Sequence, residues 1–484
     1  MAEHVAQRGT DHASIRRVDH GAEVGTTEVL AEFAATGAPV AADHSAEVSR
    51  ALVDTVAVTL GGAGAPGERI LRGWSRAESP SGPATLWTSG EPTSASTAAL
   101  VNGTVAHLLD FDDISPSMPL HPSAVLIPAL VALGEARGTD SSAFTESYDV
   151  GAAAFRALAD ILPQHVHYAR GWHSTSTIGR LAAVAALVRL VGLDAGTARN
   201  ALGIASSLAA GSRLNFGSMT KPLHAGAAAR DAVMAVELSE AGFTANPAEL
   251  EAPNGFLERY GDPAEAPVGL PAQTLEERLE YWTDAWVQDW GIKQYASCYG
   301  THRGIDAMLA IRREHAEAGR QDCPIEVRAT LHRRGTRPLR STPPTTGTEA
   351  KFSLEYTLAV ACLRGRVALA DFTEEAFADE QVHALMRAVT VAENRVPPVG
   401  PADYTTGFTV VEAMYADGST RAARVEVTHG QSADPLTDAE LRAKAVDCVL
   451  AGGYEAAVAD QIIEVATREP GPAVTSVLSR RNPS

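Results

Sequence analysis

Lysine is unusually scarce in this sequence compared with arginine. Only four of its 40 Lys and Arg residues are lysines, and the formal net charge is −19. A strongly acidic chain repels phosphate groups, so nucleic acid and anionic membrane surfaces are excluded as main partners. A lysine at any one position is a choice against a strong bias toward arginine. We therefore expect Lys221 to have a specific function.

Cysteine is also scarce, and its placement excludes several kinds of site. The four cysteines lie far apart and form no C-x-x-C pair: Cys298, Cys323, Cys362 and Cys448. Neither a disulfide framework nor a zinc or iron–sulfur pattern is supported by this spacing. Reduced thiols, as in the cytoplasm, are expected.

Long hydrophobic runs are missing as well. The most apolar stretch, residues 181–193, is interrupted by Arg189 and is too short to cross a bilayer. The first residues do not have the pattern of a signal sequence. We expect a cytoplasmic protein without a membrane partner.

The hydrophobic periodicity divides the chain into four parts. Residues 1–24 are polar and aperiodic, which predicts a flexible leader. Residues 25–290 have helical spacing, whereas residues 291–433 contain strand-like segments and a hairpin around Asp417-Gly418. Helical spacing returns over residues 434–484. The pattern predicts a mainly α protein, in which a large all-helical domain carries an inserted, smaller α+β domain.

A literal G-x-G-x-x-G sequence runs from Gly62 to Gly67. A dinucleotide-binding interpretation requires a strand before it and a helix that opens within it. The preceding segment has helix spacing, and Pro66 falls where the new helix should already be running. A glycine-rich helix end and loop is the better interpretation.

The segment Met219-Thr-Lys-Pro-Leu-His-Ala-Gly226 opens an alanine-rich helix. Pro222 suits a first helical turn, and Thr220 is a candidate N-cap. Lys221 and His224 would then lie at the positive end of the helix dipole, where a carboxylate binds favourably. The alternative is an ordinary helix start with a solvated lysine and a packed histidine.

A second polar group brackets a short loop between two predicted helices. Asp110, Asp112 and Asp113 follow the helix that carries His107, and His121 begins the next helix. Acidic and imidazole groups brought together by a turn are what general acid–base catalysis requires. The alternative is a helix end with solvated acids and a capping histidine, although acids there oppose the helix dipole.

Three further histidines follow at residues 165–173. His165 and His167 suggest a metal pair, but no acidic third ligand has suitable spacing, so we predict no metal site. His173 precedes a Ser/Thr cluster that caps the next helix. It is therefore expected to point into a cavity at that helix's N-terminus.

Several motifs in register resemble the MmgE/PrpD family over nearly the whole chain. Those that carry the resemblance are Asn102–Asp113, His121–Ser123, Gly171–His173, Phe216–Gly226, Gly242–Thr244, Thr301-His302 after a Lys-x-Tyr segment, and Phe352–Tyr356. The resemblance implies a homodimer of a large helical domain and a smaller α+β lid domain, with the active site between them and no metal or organic cofactor.

Carried over residue by residue, the resemblance implies a set of catalytic groups and a set of substrate-binding groups. The catalytic set is Asp110, His121, His173, Lys221 and His302, and the binding set is Asp113, His224 and Tyr356. Lys221 and the histidines are expected to hold substrate carboxylates and move protons, with His302 and Tyr356 closing over the pocket from the lid.

The resemblance implies a lyase, decarboxylase or epimerase that forms an enolate or carbanion beside a carboxylate. We expect dehydration of a hydroxy-polycarboxylate first, with cis-aconitate-type decarboxylation or iminodisuccinate-type epimerisation as alternatives. A catalytically silent binding relative is a further possibility. Ile114 stands where the family often has Thr, and the loop Ser115–Leu120 is less polar than expected. These departures favour a ligand less hydrophilic than a tricarboxylate, from specialised metabolism.

Overall fold

The computed structural model describes residues 24–36, 44–118, 120–162, 164–261, 272–394 and 407–478. The predicted leader lies outside these residues except for its last position. Helices account for 59% of the described residues and strands for 8%. The prediction of a mainly α fold is therefore confirmed.

The first part of the chain is built from helices that pack around one another. They are α1 (Thr26–Thr36), α2 (Ser45–Gly61), α3 (Pro66–Glu78), α4 (Ala95–Ala106), α5 (Ser123–Arg137), α6 (Ser141–Ile161), α7 (Gln164–His167), α8 (Ser174–Val191), α9 (Ala195–Ser207), α10 (Thr220–Glu240), α11 (Phe256–Tyr260) and α12 (Ala272–Ala285). A short hairpin, β1 (Ala84–Thr85) and β2 (Pro92–Thr93), interrupts them.

The core of this helical body depends on small residues that let helices approach closely. Gly103 of α4 faces Gly226 of α10, and a side chain added at Gly226 would come within 2.1 Å of the Leu100 carbonyl oxygen. Helix α8 is long and apolar enough to cross a membrane, but 89% of it is buried inside the fold. Helix α8 is therefore a core helix of the helical body.

The remaining residues contain the principal sheet and the helices around it. The elements are α13 (Tyr299–Glu317), β3 (Glu326–Leu331), α14 (Gly347–Ala350), α15 (Leu354–Arg364), α16 (Glu374–Phe377), α17 (Glu380–Met386), β4 (Val389–Glu393), β5 (Thr409–Met414), β6 (Thr420–Val425), α18 (Asp438–Ala451), α19 (Ala457–Arg468) and α20 (Thr475–Leu478). Short 3-10 helices are Arg213–Asn215, Trp286–Asp289, Leu369–Phe372 and Pro472–Val474.

The sheet has the strand order β4-β3-β5-β6, with β3 parallel to β4 and the other pairs antiparallel. Strand β5 alternates buried and more exposed residues, because one face packs on helix α13. All four strands fall within residues 291–433, which we call the lid region. The exact division of the chain into domains stays a prediction.

The structure corrects two local predictions and supports a third. Thr220 is the first residue of α10 rather than its N-cap, which is Met219 and makes no side-chain cap. Helix α4 ends at Ala106, so that His107, which was predicted to lie within the helix, caps its end. Helix α2 runs directly into the glycine-rich segment and Gly62 caps it, which fits a helix end and not a dinucleotide-binding turn.

Candidate active site

The loop after helix α4 is held in an unusual conformation. Asp110 has a φ of 53°, the left-handed region that few residues other than glycine adopt. Such a backbone persists only where surrounding contacts enforce it, and it is common at functional sites. Asp110 is buried, with 4% of its surface exposed.

Two lysines share one oxygen of the Asp110 carboxylate. Lys293 Nζ lies 2.7 Å and Lys221 Nζ 3.1 Å from Asp110 Oδ1, and both lysines are buried. Burial alone would raise the pKa of Asp110, but the two ammonium groups outweigh it and hold that pKa well below its usual range. The other oxygen, Oδ2, is buried and accepts no hydrogen bond from any described residue.

Asp112 binds two histidines at once. Its Oδ2 lies 2.8 Å from His107 Nδ1 and 3.1 Å from His121 Nδ1. Burial lowers the pKa of His121 to about 3, although Asp112 opposes the effect, and the pKa of His107 is also lowered by burial. Both rings are therefore neutral at physiological pH. Neutral imidazoles can accept a proton, as a general base must.

Asp113 lies behind the site and not in it. The backbone N–H of Ser123 donates to Asp113 Oδ1 at 3.1 Å, at the start of helix α5, and the Ser123 hydroxyl also contacts this carboxyl. Burial raises the pKa of Asp113 to about 8, although the bonds from Ser123 lower it. Asp113 was predicted to bind substrate. In the structure its carboxyl group instead binds Ser123 at the start of helix α5.

His173 and His224 form a pair at the start of helices α8 and α10. Their Nδ1 atoms are 3.1 Å apart, so one ring donates to the other. Burial holds the pKa of His173 well below its usual range and lowers that of His224 to about 4. The pair can relay a proton because each ring can carry it on either nitrogen.

Lys221 is the second residue of α10 and lies between two aromatic rings. Its Nζ is 5.3 Å from the ring centre of Phe216 and 5.2 Å from that of Phe352. These contacts hold the ammonium group by cation–π attraction and leave its positive charge unneutralised. The predicted position at a helix N-terminus is confirmed by the bounds of α10.

Two residues of the lid region were predicted for the site, His302 and Tyr356, and they have different surroundings. His302 is fully buried between the rings of Tyr295 and Tyr299, and its Nε2 lies 3.3 Å from the Ser297 carbonyl oxygen. Burial lowers the pKa of His302 to about 3, and Lys293 adds to the effect. His302 was predicted to be catalytic, but it does not line the cavity and packs behind Tyr299, which does.

Tyr356 is not brought to the cavity. Its hydroxyl donates to the Asp371 carbonyl oxygen at 2.6 Å, and its ring packs against Phe372 and Phe377. The reason is its place on the inner face of α15, where a large aromatic residue fills the core of the lid region.

A small cavity of about 30 Å³ opens among these groups. Its lining residues are Asp110, Ile114, His121, Tyr168, His173, Phe216, Lys221, Cys298, Tyr299, Gly300, Pro338 and Phe352. The helical body and the lid region both contribute, as predicted for a site between them. A space of this size holds about one water molecule and is too small for a polycarboxylate.

Models of two related domains match the chain over most of its length. The MmgE/PrpD N-terminal domain matches residues 28–268, and the MmgE/PrpD C-terminal domain matches residues 295–469. The chain belongs to the MmgE/PrpD family. The resemblance inferred from the motifs is thereby confirmed.

Several curated MmgE/PrpD relatives carry one activity in their names. Cis-aconitate decarboxylase of Mus musculus is 27% identical over 411 residues, covering 82% of this chain and 80% of that protein. The Homo sapiens enzyme is 28% identical over 360 residues, covering 72% and 71%. A cis-aconitate decarboxylase-like protein of Aspergillus oryzae is 25% identical, covering 72% and 74%. This supports a lyase-type reaction for this MmgE/PrpD protein.

Four ligand-type side chains of this MmgE/PrpD protein lie close enough to hold a metal ion. They are His107, Asp110, Asp112 and His121, whose ligand atoms lie within 4.8 Å of one another. The Lys221 and Lys293 ammonium groups already occupy Asp110 Oδ1 and would repel a cation. The histidine pair considered from the sequence is not available either, since both ring nitrogens of His167 contact oxygen atoms, of Tyr260 and Thr177.

Sequence reasoning missed three lysines of the site. Lys293 touches Asp110, and Lys351 and Lys444 donate to the carbonyl oxygens of Leu109 and Phe111. The signal was present, because lysine is so rare here that every lysine, and not only Lys221, was a candidate. The catalytic assignments themselves stay predictions.

Proposed function

We propose that this protein is a lyase that removes carbon dioxide from a small, unsaturated polycarboxylate of the cis-aconitate type, without metal or organic cofactor. The observation that carries the proposal is the pair Lys221 and Lys293 on one oxygen of Asp110, a carboxylate that lines a cavity with room for about one water molecule. Preorganised cations in a dry site stabilise developing negative charge strongly.

In the proposed reaction the bond between the substrate carbon and its carboxylate breaks. The electron pair remains on that carbon as an allylic carbanion, which is conjugated through the carbon–carbon double bond with a second carboxylate as an enolate, and carbon dioxide leaves. The Lys221 ammonium stabilises the enolate. A proton relayed by His121 or by the His173–His224 pair then replaces carbon dioxide on carbon.

The apolar wall of the cavity favours decarboxylation over dehydration. The side chains of this wall donate no hydrogen bond to a carboxylate: Ile114, Phe216, Pro338 and Phe352. A carboxylate that loses its hydrating water beside them is destabilised. Decarboxylation converts the destabilised carboxylate into neutral carbon dioxide and so relieves the destabilisation. Loss of hydroxide leaves the carboxylate in place and relieves none of it. Dehydration of a hydroxy-polycarboxylate, expected first from the motifs, is now the second candidate.

Substrate turnover separates the candidates. The purified protein is incubated with cis-aconitate, trans-aconitate, citrate and 2-methylcitrate, and released carbon dioxide is measured beside alkene absorbance. Carbon dioxide from an aconitate supports the proposal. An alkene formed from a hydroxy acid without carbon dioxide supports dehydration, and deuterium exchange without net change supports epimerisation. No change with any acid would support a binding relative.

A homodimer and a cytoplasmic location remain part of the proposal. The homodimer follows from the family resemblance, and the cytoplasmic location follows from the few, widely spaced cysteines and from the lack of a signal-sequence pattern. Sedimentation velocity of the purified chain over a range of concentrations tests the first. A sedimenting species of one chain's mass at every concentration would contradict it.

A further inference from the structure

All four lysines of the chain converge on three consecutive residues. Lys351 Nζ donates to the Leu109 carbonyl oxygen at 2.6 Å, Lys293 Nζ to that of Asp110 at 2.8 Å, and Lys444 Nζ to that of Phe111 at 2.7 Å. Lys221 binds the Asp110 side chain. Every lysine is at least 93% buried.

These lysines come from separate parts of the chain. Lys221 lies on α10 and Lys444 on α18, whereas Lys293 and Lys351 belong to the lid region. A carbonyl group buried without a donor costs about 1–3 kcal/mol, so three successive carbonyls held by ammonium groups fix this backbone firmly. The left-handed Asp110 lies at the centre of this arrangement.

Only Lys221 among the four lysines lines the cavity, and Lys293 reaches it only through the Asp110 carboxylate. Lys351 and Lys444 are absent from its lining residues, and each binds the backbone on one side of Asp110. Lys444 is also paired with the buried Asp54, 2.6 Å from its Oδ1, and lies 4.0 Å above the Phe111 ring. Neither can touch a substrate in the cavity, so any effect on chemistry must pass through Asp110.

Lys351 differs from Lys293 in how it is attached. Lys293 follows Gly291 by two residues, and Gly291 exchanges two backbone hydrogen bonds of 2.8 Å with Ile114 of the helical body. Lys351 directly precedes Phe352, which forms part of the cavity wall. The cavity must widen to admit a polycarboxylate, and a withdrawal of the Phe352 wall would carry the adjacent Lys351 away from Leu109.

We propose that Lys351 and Lys444 are positioning residues that hold the Asp110 loop, and that Lys351 does so only when the lid region is closed. The Asp110 carboxylate is then held from both sides of its loop only when the lid region is closed. This inference rests on the proposed function for its kinetic test, but its structural test does not need activity.

The kinetic test compares Lys351→Met with Lys351→Arg and with Glu349→Gln, a matched control in α14. Removing an outer positioning contact typically costs 10–100-fold, so we expect kcat to fall by that factor in Lys351→Met, with KM changed less than threefold. Methylammonium should restore part of kcat in Lys351→Ala. Unchanged kcat in Lys351→Met, or an equal loss in Glu349→Gln, would overturn the proposal.

Lys444 is tested as Lys444→Met together with Asp54→Asn, so that no buried carboxylate is left unpaired. A 10–100-fold loss of kcat with an unfolding midpoint close to that of the parent is expected. If kcat stays normal in a folded double variant, Lys444 has no positioning function.

The structural test measures how fast each lysine reacts with an amine-directed acylating reagent, read by mass spectrometry. Propane-1,2,3-tricarboxylate is the probe ligand. We expect it to slow the labelling of Lys351 and Lys221 in the parent protein, and we expect Lys221 to label faster in Lys351→Met. Unchanged Lys221 labelling in that variant overturns the inference. If the aconitate assay shows no turnover, labelling still decides this point.

Discussion

Lys221 is placed where only a compact cation fits. It lies between the rings of Phe216 and Phe352, with its ammonium group 3.1 Å from Asp110. A guanidinium is planar and larger, and in a cavity of about 30 Å³ it would displace a ring or the carboxylate. The rarity of lysine in the sequence and the geometry of this site therefore point to the same residue.

The first prediction concerns the chemical step at Lys221. If the lysine stabilises the enolate, Lys221→Ala should lower kcat by about 10²–10³ and leave KM nearly unchanged, the usual scale for one preorganised donor. Lys221→Arg should not restore the rate. Steady-state kinetics on the substrate identified above measure both. Near-normal kcat in Lys221→Arg would leave the histidines to carry the chemistry.

Cys298 lines the cavity but is not expected to act as a nucleophile. Burial raises the pKa of its thiol to about 11, so the reactive thiolate is scarce at neutral pH. We predict that Cys298→Ser changes kcat less than threefold. A loss of three orders of magnitude would instead indicate covalent catalysis.

Whether activity needs a metal ion must be tested, because four ligand-type residues lie together: His107, Asp110, Asp112 and His121. We predict that activity survives exhaustive treatment with EDTA, because the two lysine ammonium groups on Asp110 oppose a cation. Elemental analysis of the treated protein accompanies the rate measurement. Activity that disappears and then returns with one added metal would reverse this conclusion.

At the scale of elements, the contact between α4 and α10 sets the position of Lys221. An added methyl group at Gly226 would meet Leu100 O at 2.1 Å and Thr104 Oγ1 at 2.2 Å, which forces the two helices apart. Overpacking of this kind costs about 1–3 kcal/mol. We predict that Gly226→Ala destabilises the fold by about 3 kcal/mol and also lowers kcat, as α10 moves.

Gly73 provides the matched control for Gly226. It lies within helix α3, and a methyl group added there meets nothing within 4 Å. Gly73→Ala should therefore be neutral, or stabilise by up to about 1 kcal/mol through helix propensity. Denaturant unfolding of both variants tests the pair. Equal effects would mean that helix contact at Gly226 does not matter.

The helices were predictable because their signals are local, whereas the site was only partly so. The spacing of apolar residues and Pro222 located α10 to within one residue of its start. The lysines that meet Asp110 come from positions 221, 293, 351 and 444, and no local pattern states that they converge. Tyr356 was misplaced for the same reason, since a motif does not reveal which way its residue faces.

At the scale of the whole molecule, buried histidines make stability depend on pH. The pKa values of His121 and His302 are lowered to about 3, and those of His167 and His224 to about 4, mainly by burial. Between these values and about 6.5 the unfolded chain binds more protons than the folded one. The free energy of unfolding therefore falls as pH decreases below about 6.5.

Asp113 acts in the opposite direction. Its pKa of about 8 means that the folded protein keeps a proton that the unfolded chain releases near pH 4, so stability falls as pH rises toward 8. We predict maximal stability near pH 6–7, with a loss of several kcal/mol by pH 5. Denaturant titrations followed by tryptophan fluorescence test this. Asp113→Asn should flatten the alkaline side, and a maximum above pH 8 would contradict the argument.

The burial of every lysine also determines how the folded chain meets proteases. Arginines such as Arg366 and Arg468 are exposed, with side chains more than 60% accessible, so an arginine-specific protease finds sites on the native surface. A lysine-specific endoprotease finds none, and the bond after Lys221 is further protected by Pro222. Cleavage at the other three lysines requires that the buried cluster open. Lysine-specific digestion of this protein thus reports the fraction of molecules in which the lysine cluster around Asp110 has come apart.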